Sequence, residues 1–533
     1  MLWVGPSYFH MSKHSSAPTL PFSLQPGRNC WRMATAEQLA FLVDGASYFD
    51  AFYRAALNAQ RSITILSWDI DTRIRLLRNL PHVDGFPTEL GPFLRRLLNR
   101  KQSLHVHILN WDYSMLYAME RQWFSPIRFG WNSHPRLHVH LNGRHPLGAC
   151  QHEKLVVIDD TVAFIGGLDL TTHRWDTPAH HQYEPHRVDP DGNAYPPFHD
   201  IHTMVAGEVA QALSDLARLR WHHATGERLA PTHRRPVSAV WPTGVSVDLS
   251  NLSLGVARTQ PRYENQPDVR EIEQLYLDAI AAAQRSIFME SQYLTAHRVG
   301  EALHTRLSGP HAPEVVIVTR RKSDGWLERY TMDALRARMI RRLREAAKPN
   351  RFRVYWPTTS WMSADTCIGV HSKLLMVDDS ILTIGSANCS NRSLGVDTEC
   401  NLVIDGSQSK TVRAGLKRLR HKLLGEHLGR QASEVQQTER RKRSIIGTID
   451  ELNNGRRRLH EYSCDQDDEV ERLLPSTTLI DPERPVQPDQ LWMMLGRPAQ
   501  HRTVRTRAAI FLSSCILIGG FGLLWRWLRR SRS

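Results

Sequence analysis

Apolar and polar positions follow one another along this chain in an order that occurs twice. Two short apolar runs, Leu155–Ile158 and Leu374–Val377, are bounded by polar residues, and this pattern predicts buried strands. Well upstream of each lies the string AQRSI, at Ala59–Ile63 and Ala283–Ile287. Each copy follows a stretch of helical character (Tyr48–Asn58, Ile272–Ala282) and leads into a strand pattern, Ile63–Asp71 or Ile287–Leu294. Further strand patterns fall in step, Leu104–Asp112 against Pro313–Arg320. Repeats of this length are duplicated domains rather than solenoid units. Strands alternating with helices predict two pseudo-symmetric α/β halves, with mixed, mostly parallel sheets flanked by helices and any shared site on their seam.

The expected boundaries are a first half over 27–235 and a second over 236–424. Before them, residues 1–26 are rich in Ser, Pro and His without periodicity and are expected to be disordered. After them, 425–500 reads as helices and loops that buttress the core without chemistry of their own. That stretch holds a basic run, Arg440 to Arg443, and an acidic patch, Asp465 to Glu469. The stretch Thr177–Pro197 is dense in Pro, His and Asp. Its irregularly spaced histidines (His180, His181, His186, with His173 just before) are expected to belong to a solvated lid rather than a metal site.

The polar residues before the two buried strands carry the chemistry. His152 and Lys154 precede Asp159 and Gly166, and His371 and Lys373 precede Asp378 and Gly385 with identical spacing. Such a match is expected at roughly one in 10^5 start positions, so a second copy is not chance. Residues two apart on a strand share a face, so each His points with its Lys, while Glu153 and Ser372 face away. A phosphodiester repels anionic nucleophiles, and the paired residues answer that difficulty. Two lysines supply fixed charge for the non-bridging oxygens. One imidazole can attack phosphorus, and the other can protonate the departing alcohol and then activate the acceptor. This scheme calls for no metal and no cofactor, and the sequence carries no HExxH, EF-hand loop or paired-cysteine ligand set.

The segments HEKLVVIDDTVAFIGGLDLTTHRWD (152–176) and VHSKLLMVDDSILTIGSANCSNRSLGVDTECN (370–401) resemble the two HKD motifs of the phospholipase D superfamily. The blocks FMESQYL, PFHDIH and RWHHATG support the eukaryote-type and bacterial phospholipase D branch, and the resemblance spans about residues 27 to 430. It implies His152 as nucleophile and His371 as general acid, with Lys154, Lys373 and Asn388 holding the phosphate. It also implies that Asp200 and Glu399 orient the two histidines. Asp169 occupies the place matching Asn388, with its role left open. Asp159 and Asp378 belong to the catalytic motif, but they are expected to hold the strand-end turn behind the site.

Charge changes the picture mainly at the C-terminus. The chain carries a formal +14, and arginines 502, 505, 507, 526, 529, 530 and 532 supply half of it. They flank Ala508–Trp525, an uncharged stretch that predicts a C-terminal transmembrane helix of about 27 Å. The high pI therefore weakens any nucleic-acid inference. Seven cysteines without a CxxC fit a reducing compartment. These features predict a cell-membrane protein with a single-pass anchor and a cytoplasmic catalytic part, acting on membrane phospholipid without an obligate protein partner. The expected reaction is phospholipase D hydrolysis to phosphatidic acid. Phosphatidyl transfer of the cardiolipin-synthase kind ranks second, because an N-terminal membrane segment is missing. A nuclease is the alternative from another class.

Overall fold

The computed structural model describes residues 22–78, 83, 85–112, 134–323, 326–362, 367–463 and 481–485. Its first half contains β1 (Arg32–Val43), α1 (Asp44–Asn58), β2 (Ser62–Ser67), α2 (Leu90–Arg100), β3 (His105–Trp111) and β4 (Leu137–Asn142). It continues with β5 (Leu155–Ile158), β6 (Val162–Gly166), β7 (Phe198–His199), β8 (Ile201–Gly207) and α3 (Glu208–Thr225). The second half repeats this order. It comprises β9 (Leu249–Gln260), β10 (Val269–Arg270), α4 (Glu271–Ala282), β11 (Ser286–Ser291), α5 (His297–Ser308), β12 (Glu314–Val318), α6 (Trp326–Ala346) and β13 (Phe352–Thr359). Then come β14 (Gly369–Val370), β15 (Lys373–Val377), β16 (Ile381–Gly385), α7 (Asn391–Gly395), β17 (Glu399–Asp405) and α8 (Lys410–Leu428). Helices α9 (Ala432–Lys442) and α10 (Ile445–Leu452) and strand β18 (Arg457–Glu461) follow.

Sixteen strands form one continuous sheet in the order β18-β13-β12-β11-β15-β16-β17-β9-β1-β8-β6-β5-β2-β3-β4, with β10 paired to β9. The duplication is visible in the register. Ile63 of the first AQRSI pairs with Ile158, and Ile287 of the second pairs with Val377, each six residues past the motif histidine. Both predicted helices and all three predicted strand pairs fall on these elements. The sheet is mixed but not mostly parallel: among the described residues only β2–β3, β3–β4, β11–β12 and β12–β13 run parallel within it. The reason is local. Asp159 and Asp160 both have positive φ (48° and 49°), as do Asp378 and Asp379 (54° and 55°), and Thr161 and Ser380 close the turns onto Ile158 and Val377. Consecutive left-handed residues are the mark of a type I′ hairpin turn, so each motif strand doubles back on itself.

The halves are fused rather than apposed. At the centre of the sheet β9 lies between β1 and β17, antiparallel to both. Beneath it one apolar core takes Leu213, Leu216 and Trp221 from α3 together with Leu416, Leu423 and Leu424 from α8. Separate cores cover the opposite face, under α1 and α2 in the first half and under α4 and α5 in the second. Covering both faces explains why the motif strands β5 and β15 are buried throughout.

Two expected boundaries differ from the elements found. Residues 22–26 are ordered, because Phe22 and Leu24 pack on the second-half core; residues 1–21 lie outside the described residues. A break at 424/425 would cut α8, and the following segment adds β18 to the sheet edge beside β13. The acidic patch and the predicted anchor at 508–525 lie outside the described residues, among which no helix is long and apolar enough to cross a membrane.

Candidate active site

Each motif histidine is positioned by a short strand contact from the other half. Gln151 bridges to Thr398, and the His152 N–H donates to the Thr398 carbonyl at 3.0 Å. In the same way β14 pairs with β7, Val370 opposite His199, and the His371 N–H donates to the His199 carbonyl at 2.9 Å. Thr398 and His199 immediately precede the two carboxylates. Glu399 Oε1 therefore meets His152 Nδ1 at 2.9 Å, and Asp200 Oδ2 meets His371 Nδ1 at 2.7 Å. Both carboxylates are buried, whereas the imidazole side chains keep 14% and 12% of their exposure. With Nδ1 engaged, Nε2 is the nitrogen each ring has left for substrate.

The lysines lie in the same place. Lys154 Nζ sits 3.2 Å from Asp169 Oδ2 and donates to the His152 carbonyl at 3.1 Å. Lys373 Nζ donates to the His371 carbonyl and lies 3.0 Å from His371 Nδ1. The electrostatics join the two motifs into one site. Burial, then Lys154 and Lys373, hold the His152 pKa well below its ordinary value. Burial and then Lys373, Arg174, Lys154 and His152 do the same for His371. Burial, against the pull of Asp200, lowers Lys373 to about 7. A neutral nucleophilic imidazole beside fixed cations is what attack on an anionic phosphodiester requires.

The supporting residues repeat with small differences. Two residues beyond each carboxylate, His202 Nδ1 accepts from the Leu168 N–H and Asn401 Oδ1 from the Ala387 N–H, which fixes the GGLD and GSAN loops. Ser386 Oγ donates to Glu399 Oε2 at 2.5 Å. Its counterpart Gly167 has no room for a side chain, since a Cβ there would lie 2.1 Å from Asp200 Oδ1. Asp169 also accepts the Trp68 N–H at 3.0 Å, so its role is to hold Lys154 and this loop. Asn388 is buried, and its Oδ1 has no hydrogen-bond partner.

Asp159 and Asp378 do not take part in the constellation. Asp159 accepts the N–H groups of Gln60, Arg61 and Ser62, and Asp378 those of Gln284, Arg285 and Ser286. The catalytic motif's aspartates thus clamp the AQRSI strings behind the sheet, which gives that repeat its reason. Glu153 and Ser372 also point behind the site. Glu153 bonds Arg220 (2.6 Å) and Thr398 (2.6 Å), and Ser372 bonds Glu290 (2.7 Å).

Sequence reasoning missed Arg174, whose charge bears on His371, Lys373 and Asp200 and whose guanidinium lies 5.0 Å from the Phe198 ring. It lies inside the quoted first motif, where the second copy offers Arg392 one position out of step. Reading of 177–197 as a wholly solvated lid is also corrected: His180 and Arg187 are buried, tied to Asp176 at 2.9 and 3.2 Å. Likewise 425–500 is not inert, because Glu426 and His427 reach into the core beside His199 and Glu290.

Comparison with known proteins agrees with this geometry. The family described as "Cardiolipin synthase, PLD-like domain" matches residues 276–420, the segment that carries the second motif. The chain belongs to the phospholipase D superfamily. Among superfamily relatives, the cardiolipin synthase of Geobacillus thermodenitrificans is 25% identical over 415 residues, covering 73% of this chain and 67% of that protein. Phospholipase D1 of Schizosaccharomyces pombe is 23% identical over 502 residues, 75% of this chain but 36% of that one. Among solved structures, phosphatidylserine synthase of Haemophilus influenzae aligns with a TM-score of 0.50 at 14% identity, over 74% of this chain and 88% of that chain, which speaks to fold alone. As a superfamily member with both motifs intact, the chain is an enzyme of the phosphodiester-processing, phospholipid-modifying kind.

Proposed function

We propose that this enzyme transfers a phosphatidyl group between alcohols, in the manner of a cardiolipin synthase. The observation that carries the chemistry is the pair of imidazoles, each braced at Nδ1 by the other half's carboxylate. His152 Nε2 attacks phosphorus while Lys154 and Lys373 balance charge on the non-bridging oxygens. The P–O bond to the head-group alcohol breaks, and that oxygen takes a proton from Nε2 of His371, which enters the step as the imidazolium and leaves it neutral. A second alcohol then gives its proton to His371 and attacks the phosphohistidine. The P–N bond breaks, and His152 is regenerated.

The acceptor is chosen on likeness. The cardiolipin synthases align over two-thirds of their own length, whereas the phospholipase D1 of Schizosaccharomyces pombe aligns over about a third of its own. This favours transfer over the hydrolysis ranked first from sequence. Residues 508–525 would serve as the membrane anchor, and nucleic acid is not the proposed substrate.

The test is incubation of the purified full chain with phosphatidylglycerol vesicles, with single-stranded DNA in a parallel reaction. Transfer yields cardiolipin and glycerol in equal amounts. Phosphatidic acid as the main lipid product would return the assignment to hydrolysis, and DNA cleavage without lipid turnover would reject both.

A further inference from the structure

Behind Asp200 lies a buried cluster that the phosphoryl chemistry does not use. Asp44, at the start of α1, and His199, at the end of β7, meet His180 of the 177–197 loop and Glu426 of α8. Their facing atoms are close: His199 Nδ1 to Glu426 Oε1 2.6 Å and to Asp44 Oδ1 3.2 Å, His180 Nε2 to Glu426 Oε1 3.1 Å and to Asp44 Oδ2 3.8 Å. Ligands around a tetrahedral ion at about 2.0–2.1 Å are separated by about 3.3 Å, within the spread of these four distances.

Two independent features point to an ion. The far nitrogen of each imidazole is fixed by a further carboxylate, His180 Nδ1 by Asp176 at 2.9 Å and His199 Nε2 by Glu290 at 3.0 Å. That is the outer-shell arrangement that turns an imidazole's lone pair toward a metal. Asp44 Oδ2 and Glu426 Oε2 are buried acceptors without a hydrogen-bond partner. Two carboxylates, Asp44 and Glu426, thus face two imidazoles, with the Arg457 guanidinium, which donates to the Glu426 carbonyl at 2.6 Å, as a further cation bearing on them.

We propose that Asp44, His180, His199 and Glu426 form a binding site for a divalent first-row transition ion, zinc being the best match to two imidazoles and two carboxylates. The ion ties three distant segments to the backbone that carries Asp200: the Asp44 N–H donates to the Asp200 carbonyl at 2.8 Å. It is a positioning site, separate from the reacting phosphate.

The experiment is metal analysis of the full chain purified from zinc-supplemented medium, covering manganese through zinc. The expected result is about one zinc per chain, falling to background in His180→Ala and Glu426→Gln and kept in His181→Ala, an exposed neighbour. A folding-independent arm uses the wild-type chain: dipicolinate should lower the melting temperature by several degrees, and added Zn2+ should restore it. Less than about a tenth of an ion per chain with no melting shift on adding Zn2+ would overturn the site. Full metal retained in both cluster variants would also overturn it, by placing the ion elsewhere.

Discussion

Glu399, in the second half of the chain, holds the Nδ1 of His152, in the first, at 2.9 Å. Asp200 returns the arrangement by holding His371 at 2.7 Å. Glu399→Gln and Asp200→Asn should each lower kcat by about 10²–10⁴-fold with a small effect on KM, because an amide can present a donor and favour the wrong imidazole tautomer. Steady-state kinetics on phosphatidylglycerol checks both. A loss confined to KM would contradict the orienting role.

His152→Ala should abolish turnover and yield no covalent adduct. His371→Ala should also abolish lipid turnover, yet accumulate phosphoenzyme from an ester with a good leaving group, since only departure of a poor alcohol needs the acid. Acid-quenched mass spectrometry distinguishes the two. An adduct on His371 in the His152→Ala protein would reverse the assignment.

Lys373 sets the alkaline side of the pH profile. Its ammonium, lowered to about 7 by burial, is lost in the free enzyme as pH rises through that value. His152, the nucleophile, titrates well below its ordinary range and imposes no loss on the way down to about pH 6, whereas His371, also lowered, must carry the proton it gives, so its loss too falls on the alkaline side. kcat/KM should therefore fall as pH rises above about 7. For stability the sign is opposite. The folded lysine binds its proton less tightly than the unfolded one, so this group adds stability as pH rises from about 7 to about 10.

Gly167→Ala should cost activity well beyond its cost in stability. The new methyl would sit 2.1 Å from Asp200 Oδ1 and force that carboxylate off His371. About 1–3 kcal/mol of destabilisation is expected from the overlap, alongside a fall in kcat of about 10²-fold or more. Ser386→Ala, which removes only one hydrogen bond to Glu399, should be milder.

The motif aspartates should behave as structural residues. Asp159→Ala strands three partly buried N–H groups and loosens Arg235, whose guanidinium lies 3.1 Å away, for about 3 kcal/mol measured by urea unfolding. Asp378→Ala should cost less, because its turn is more open to water.

The histidines, lysines and turn aspartates were legible because a repeated pattern survives in the linear order, and the helices and strands beside AQRSI were legible for the same reason. The crossed pairing was not. Nothing local in Thr398 or His199 says that it will meet Gln151 or Val370 from the other half. Strand direction failed at Asp159-Asp160 and Asp378-Asp379, where the paired aspartates were read as strand ends although consecutive left-handed residues make a hairpin. His180 was read as solvated because its neighbours His181 and Tyr183 are exposed, while its own partners, Asp44 and Glu426, lie far away in sequence.

The unbroken run of strands through β1, β9 and β17 has a bearing on how substrate enters. A sheet hydrogen-bonded across its middle offers no hinge, so the enzyme cannot open as two jaws swinging apart. Access to the imidazoles is a matter for the loops at the rim, and the spacing of the reacting groups is set once, when the polypeptide folds.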